Sequence, residues 1–356
     1  MDKIKVGVLG ATGLVGQVFV SLLAEHPWFE LEYLGASKAS AGKKYKEVAK
    51  GYCPLPLPSS ITDEIVREVK PEEIPNEIEI LFSALPSQVA ENIEVDLAKR
   101  GFVVISNASP LRLDEDIPLI NPEVNLDHLD LIHIQKKNRK WKGVIVKNPN
   151  CTTAILTLTL KPLMDNFGIK RVIVTTMQGL SGAGYPGVPS LQIVDNLIPF
   201  IPKEEYKVEN ETLKILGNFT NNRILVAKMR ITATCTRVPV LDGHTEAVFV
   251  ELYRETTPEE VMKVFNEFKS KPQEMKLPTA PERPIVVKME EDRPQPRLDR
   301  LEGRGMSVVV GRIRLDEALT PGIKYVALGH NLLRGAAGIA VLIAEAMVKM
   351  GYINLR

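Results

Sequence analysis

The chain has 356 residues, 44% of them apolar and 25% charged, which is enough for two domains with sizeable cores. Its 45 basic and 44 acidic side chains leave a formal charge of +1, which argues against a protein held electrostatically on nucleic acid or on an anionic membrane. Three cysteines (Cys53, Cys151 and Cys235) are too few for a disulfide scaffold, so a reducing, cytoplasmic setting is expected.

No secretory leader is expected, because Met1-Asp2-Lys3 runs directly into a short apolar strand over 4–9 that ends at Gly10. Leu14 to Leu23 then has helical spacing of apolar positions. Leu31 to Gly35, Ile78 to Ser83 and Phe102 to Ser106 read as strands, with a helical stretch around Ala90 to Arg100 between the last two. Strands alternating with helices imply a parallel sheet wound by crossovers. From about residue 150 the texture changes. Arg171 to Gln178, Arg230 to Val240 and Glu246 to Tyr253 are β-branched, partly alternating runs that suit an antiparallel or mixed sheet. Pro258 to Ser270 is an amphipathic helix announced by Thr256-Thr257-Pro258, and residues 280–305 should be an exposed connection. Asn331 to Gly351 reads as one long helix with small residues on its N-terminal face. Its apolar part, 335–347, is broken by Glu345 and too short to span a bilayer.

Chemistry enters at Gly7-Val8-Leu9-Gly10-Ala11-Thr12-Gly13-Leu14-Val15-Gly16, between the first strand and the first helix. Glycines there permit a tight turn and let backbone N–H groups approach a pyrophosphate at the positive end of the helix. The spacing is G-x-x-G-x-x-G rather than G-x-G-x-x-G, and glycines serving only the turn are the alternative. An NAD-selective site would place Asp or Glu at the end of the second strand. This chain instead has Gly35-Ala36-Ser37-Lys38-Ala39-Ser40-Ala41-Gly42-Lys43. Hydroxyls and lysines suit an extra 2′-phosphate, so NADP is expected over NAD, a solvated basic turn being the other explanation.

In Asn148-Pro149-Asn150-Cys151-Thr152-Thr153, Asn150 can cap the helix that follows, which leaves Cys151 in its first turn. A thiol at the positive end of the helix dipole is expected to have a lowered pKa. Cys53 and Cys235 read as inert, the latter inside a strand. Of five histidines, His26 lies at a helix end, His128 and His133 in a polar, surface-like stretch, and His330 beside the last helix. His244, in a turn joining two strands, is the best placed to exchange a proton with a thiol, although spacing does not establish contact between 151 and 244. Arg112, in Ser106-Asn107-Ala108-Ser109-Pro110-Leu111-Arg112 after a parallel strand, and Arg237 can each fork onto a phosphate or carboxylate. For either arginine alone, a surface ion pair is the alternative. No Cys/His cluster has metal spacing, and no basic stripe interleaved with aromatics suggests nucleic acid.

Together these motifs resemble aspartate-semialdehyde dehydrogenase, in its archaeal and fungal-type branch. The resemblance rests on Gly10 to Gly16, Asn148 to Thr153, Ser181-Gly182-Ala183-Gly184-Tyr185-Pro186-Gly187, the Arg237/His244 pair and Asn331-Leu332-Leu333-Arg334-Gly335-Ala336-Ala337-Gly338, and it covers the whole chain. It implies an α/β fold in three parts. These are a Rossmann-like, doubly wound NADP-binding domain over 1–150, a catalytic and dimerisation domain with a mixed sheet over 151–330, and a C-terminal helix over 331–356 returning to the first domain. It further implies Cys151 as the acylated nucleophile, His244 as acid/base, and Gln178 and Asn150 as groups that orient the reacting acyl. Arg237 would hold the substrate carboxylate, Arg112 and Lys207 the phosphate, and Glu205 the amine. Gly10, Thr12, Gly13, Leu14, Val15, Ser37, Lys38, Ser40, Ser181, Gly182 and Asn331 would line the cofactor.

The implied reaction is reductive dephosphorylation of L-aspartyl 4-phosphate to L-aspartate 4-semialdehyde through a cysteine thioester, on the route to lysine, threonine and methionine, in a homodimer or homotetramer. A thioester accepts hydride more readily than a carboxylate, so one hard step becomes two easier ones. The alternatives on the same scaffold are a malonyl-CoA reductase, whose cysteine would lack the Asn-Pro-Asn lead-in, and N-acetyl-glutamyl-phosphate reductase, whose His-Pro-Asn and Gly-Cys surroundings do not occur here. A non-catalytic NADP-binding protein is the alternative of a different class.

Overall fold

The computed structural model describes residues 3–49 and 51–353. The first half of the chain builds a parallel sheet from β1 (Ile4–Leu9), β2 (Phe29–Ala36), β3 (Arg67–Glu68), β4 (Ile80–Ser83), β5 (Val103–Ser106) and β6 (Val144–Lys147). Nearly continuous apolar runs such as ILFS and VVIS suit strands covered on both faces, as a doubly wound sheet requires. The order is β3-β2-β1-β4-β5-β6, so the winding reverses between β1 and β4 and the carboxyl ends of those two strands open a crevice. Helix Leu14–Leu23 leaves β1 through Gly10, whose φ of +79° is a left-handed conformation that favours glycine. A Cβ at Gly16 would lie 2.0 Å from the Gly10 carbonyl oxygen, so only glycine lets this helix close on its loop.

The second half carries β7 (Ile169–Gln178), a small hairpin of β8 (Asn218–Thr220) and β9 (Arg223–Leu225), then β10 (Arg230–Arg237), β11 (His244–Leu252), β12 (Ile285–Val287), β13 (Val308–Leu315) and β14 (Gly322–Gly329). All but the hairpin form a mixed sheet of order β10-β7-β11-β14-β13-β12. Its register sets Arg237 opposite Gln178 and Gln178 opposite His244, so these three share one row at the edge nearest the first sheet. Cys235, Thr176 and Glu246 make the next row inward on the same face. That face is covered by helix Cys151–Phe167 and, at the β10 edge, by helix Glu204–Ile215. Outward residues on the opposite face, among them Ile173, Thr175, Met177, Ala247 and Phe249, are exposed or half-buried. Helix Gly338–Lys349 packs Ala340, Val341, Ile343, Ala344 and Met347 into the core of the first sheet.

Several elements depart from expectation. The segment 331–351 is not one regular helix, because a π-helical turn over Leu333–Ala337 precedes Gly338–Lys349. Residues 280–305 are not wholly exposed. Ile285 is buried in edge strand β12 and Asp299 is buried against Arg293. The stretch around His128 is not surface-like either. His128 is buried, its ring nitrogens facing the Asn125 amide and the Gly217 carbonyl, and burial holds its pKa below the usual histidine value. Pro258–Glu267 has the capping box at Thr257 and Glu260, but it stops three residues short of Ser270.

Candidate active site

Cys151 opens helix Cys151–Phe167 where the chain leaves β6. The Asn150 side-chain oxygen accepts from the N–H groups of Thr152 and Thr153 at 3.0 and 3.3 Å, which is the expected cap. Cys151 Sγ lies 3.1 Å from His244 Nε2, so the two sheets bring together groups 93 residues apart. Gly335 is what lets the π turn approach them: a Cβ there would lie 2.6 Å from Cys151 Cβ. Gly182 plays the same part on the other side, where a Cβ would meet Arg237 Nη1 at 2.7 Å and His244 Cε1 at 2.9 Å.

The expected lowering of the thiol pKa does not occur in this resting arrangement. Burial pushes the Cys151 thiol up to about 12 and Glu204 adds to the rise, while Arg237 and Lys207 oppose it. Burial and the nearby Arg237 pull His244 down to about 4. At neutral pH the pair is therefore a thiol beside an uncharged imidazole. The Gly179 N–H is shared between His244 Nδ1 and the Gly243 carbonyl, each at 3.1 Å. While it donates to Nδ1, the ring proton sits on Nε2 and points at sulfur. When it serves the Gly243 carbonyl alone, Nδ1 is free to hold the proton and Nε2 can accept one.

A cavity of about 400 Å³ opens in front of the sulfur, lined by Asn150, Cys151, Arg112, Glu204, Lys207, Val15, Ser181, Gly182 and Asn331 among others. A second cavity of about 500 Å³ is lined by Gly10, Thr12, Gly13, Ser37 and Lys38. Ala84, Leu85 and Pro86 border both, which makes them one groove along the crevice at the end of β4. The sequence reading missed this tripeptide. Its signal was position: it follows the strand next to the point where the winding reverses. Asn331 ties the groove to the catalytic turn, donating to Ser181 Oγ at 2.8 Å and accepting from the Gly243 N–H at 2.8 Å.

Two expected cofactor residues stand elsewhere. Leu14 is buried in the core of the first sheet, because the first turn of an amphipathic helix points one side chain inward. Ser40 does not line the groove, and its N–H closes a turn onto the Ser37 carbonyl. Gln178 is buried and bonds Thr176 Oγ1 at 3.3 Å, beside His244 in the catalytic row rather than in the cavity wall. Arg237, also buried, donates to the Gly179 carbonyl at 2.7 Å.

The clearest correction concerns Glu205. It turns away from the cavity and accepts the N–H of Cys235 at 3.1 Å, as Glu209 accepts that of Ala233 at 3.0 Å, so the two carboxylates cap the open edge of β10. Its neighbour Glu204 faces the cavity instead, accepting from Asn150 Nδ2 at 2.7 Å and from Lys207 Nζ at 3.1 Å. Burial pushes Glu204 up, but Lys207 and the Asn150 amide outweigh it and hold the carboxylate below its usual range. Glu204 and Lys207, three apart, share a helix face, whereas Glu205 lies about a quarter-turn away.

The semialdehyde dehydrogenase NAD binding domain family matches residues 5–132, and the semialdehyde dehydrogenase dimerisation domain family matches residues 160–334. The aspartate-semialdehyde dehydrogenase of Archaeoglobus fulgidus is 54% identical over 347 residues, covering 98% of each chain. This chain belongs to the aspartate-semialdehyde dehydrogenase family. It is accordingly an oxidoreductase. A crystal structure of aspartate-semialdehyde dehydrogenase with NADP from Candida albicans superposes with a TM-score of 0.90 at 40% identity, covering 99% of this chain and 100% of that one. The family borders on a second activity. The malonyl-CoA reductase (NADP) of Metallosphaera sedula is 42% identical over 99% of each chain. No helix among the described residues is long and apolar enough to cross a membrane.

Proposed function

We propose that this chain is an NADP-dependent aspartate-semialdehyde dehydrogenase that interconverts L-aspartyl 4-phosphate and L-aspartate 4-semialdehyde through a thioester on Cys151. The observation that carries this reading is the 3.1 Å contact between Cys151 Sγ and His244 Nε2, at the mouth of a cavity lined by Arg112 and Lys207. A thiol poised for acyl transfer thus faces two cations suited to a phosphate leaving group.

The groove fits a dinucleotide. Helix Leu14–Leu23 has Gly13 at its cap, with no side-chain hydrogen bond there and no acidic residue in its first turn, so a pyrophosphate would meet a free positive helix end. A Cβ at Gly10 would lie 2.6 Å from the Ala84 carbonyl oxygen, so glycine keeps the loop close to β4. Gly10, Thr12, Gly13 and Val15 would hold the pyrophosphate, Ser37 and Lys38 the 2′-phosphate, and Ser181, Gly182 and Asn331 the nicotinamide end. When bound, NADPH supplies the hydride that reduces the thioester.

The protein's own groups account for the remaining steps. Arg237 would hold the substrate carboxylate, Glu204 the amine, and Arg112 with Lys207 the phosphate. As sulfur attacks the acyl carbon, its proton passes to His244 Nε2, and the cations steady the departing phosphate. After reduction, His244 returns that proton as the thiohemiacetal collapses and the C–S bond breaks, which restores the thiol. Glu204 takes the amine role expected of Glu205 because it alone of the two faces the cavity.

The open face of the mixed sheet would pack against a second copy in a homodimer, and three unpaired cysteines suit the cytoplasm. The deciding assay is NADPH formation by the purified protein with L-aspartate 4-semialdehyde, phosphate and NADP, set against NADPH oxidation with malonyl-CoA. Turnover with malonyl-CoA alone would overturn the assignment.

A further inference from the structure

Helix Glu204–Ile215 contributes more to the site than its first turn. Glu204, Lys207, Glu211 and Lys214 fall at intervals of three and four, so they form one charged stripe facing the first sheet. Glu211 is buried and divides its two oxygens between two different loops. Oε1 accepts from Arg112 Nη1 at 2.9 Å, and Oε2 accepts the backbone N–H of Asn150 at 2.6 Å. Arg112 stands on the loop after β5, and Asn150 directly precedes the nucleophile after β6. One turn further on, Lys214 Nζ donates to the carbonyls of Arg112, Asp114 and Ile117 at 2.8, 2.7 and 2.8 Å, which fastens the Arg112 loop to the same helix. The remaining Nη of Arg112 donates to the Asn107 carbonyl at 2.6 Å, while its Nε is buried without a partner. The guanidinium is thus held from two sides through two of its five N–H groups, which leaves the others, the Nε–H among them, to give.

We infer that Glu211 is a positioning residue that fixes the distance between the phosphate-binding Arg112 and the acyl group on Cys151. A single planar carboxylate bonded to both loops makes that separation rigid. Phosphate gripped by Arg112 is then held at a fixed distance from the acyl carbon, whether it attacks the thioester or departs from the acyl phosphate. The role rests on the reading above, in which Arg112 binds phosphate, and it adds a residue that never touches the reacting atoms. Removing its charge would leave the buried Arg112 guanidinium without its counter-ion, held only by the Asn107 carbonyl, and displacements of about 1 Å in such sites cost on the order of a hundredfold in rate.

The test uses the full-length enzyme with Glu211→Gln, Glu211→Asp and Arg112→Ala, alone and combined. In the oxidative direction, NADPH released in a burst without phosphate reports thioester formation, and steady turnover with varied phosphate reports its attack. For Glu211→Gln we expect kcat/KM for phosphate to fall by about a hundredfold, with burst amplitude and KM for NADP within twofold of wild type. In the Arg112→Ala background the same substitution should cost less than about threefold more, because its partner is already gone. Unchanged phosphate kinetics, or losses that multiply in the double variant, would overturn the inference, as would a loss confined to thermal stability. If the Gln variant does not fold, Glu211→Asp keeps the charge with a shorter reach, and wild-type phosphate kinetics in it would refute the role. Absence of phosphate-dependent turnover in the wild type would instead overturn the underlying reading.

Discussion

Adding one methyl group at Gly335 should disable the enzyme without unfolding it. A Cβ there would stand 2.6 Å from Cys151 Cβ and 2.9 Å from its Cα. Carbon atoms rest at about 3.5–4.0 Å, so something must yield by roughly 1 Å. The contacts are with the root of the nucleophile, not the far end of a flexible chain, and Leu333, Ala336 and Ala337 around the π turn are all buried. Cys151 therefore has to move, and with it the 3.1 Å approach of its sulfur to His244. Overpacking of this kind costs about 1–3 kcal/mol of stability, which a protein of this size absorbs as a modest fall in Tm. Misplacing the reacting atom by about 1 Å costs on the order of a hundredfold in kcat. The assay is steady-state NADPH formation by Gly335→Ala, with circular dichroism and KM for NADP as controls. A folded variant with kcat within threefold of wild type would refute the argument that this glycine exists to make room for the nucleophile.

Cys151→Ala should abolish turnover, while Cys53→Ala retains most of it, and comparable losses in the two would contradict the assignment of the nucleophile. Because the resting thiol is held near 12 by burial, alkylation of Cys151 by iodoacetamide in the free enzyme should climb about tenfold per pH unit between pH 7 and 9, following the thiolate fraction. A plateau near neutrality would show that the pKa is lowered after all. Glu204→Gln removes an anion that disfavours the thiolate, so the thiol pKa should fall and alkylation at pH 7 should speed up several-fold even as substrate turnover drops. Lys38→Ala should raise KM for NADP by about tenfold and leave KM for NAD nearly unchanged, since only NADP carries the phosphate this side chain would meet.

In the parallel half, β1, β2, β4 and β5 were legible because each is a short run that ends at or beside glycine or serine, and helix Leu14–Leu23 keeps helical spacing from end to end, whereas β3, two charged residues, and β6, which ends on Lys147, were not read as strands. Half of the mixed sheet, β7, β10 and β11, was legible in composition, β13 and β14 were not read as strands, and none of the pairing was legible. Its register joins strands far apart in sequence, such as β11 with β14, and no local pattern encodes that choice. Strand β12 escaped notice because three residues inside a stretch rich in proline, arginine and acid carry too little periodicity to stand out. The π turn is likewise invisible locally. The run from Asn331 to Gly338 offers small residues suited to a helix, and it is contact with Cys151 that gives Gly335 its meaning.

Individual site residues were easier to find than their relations, and the acidic pair at 204 and 205 shows why. Both are glutamates at the start of a helix, and nothing in their own chemistry separates them. The helical phase does. Val208 and Ile215 are apolar and buried, four and eleven residues after Glu204, and they mark the inward face to which Glu204 and Glu211 belong and Glu205 does not. The thiol pKa fails for the opposite reason. Position at a helix N-terminus is a sequence property and favours the thiolate, but desolvation depends on everything packed around sulfur and here outweighs it. A thiol kept protonated by burial is also protected from adventitious oxidation and alkylation, since the thiolate is the reactive species. His244 stands at hydrogen-bond distance from it, so deprotonation can occur in the attack itself, when the cations around a bound substrate compensate the charge that burial alone disfavours.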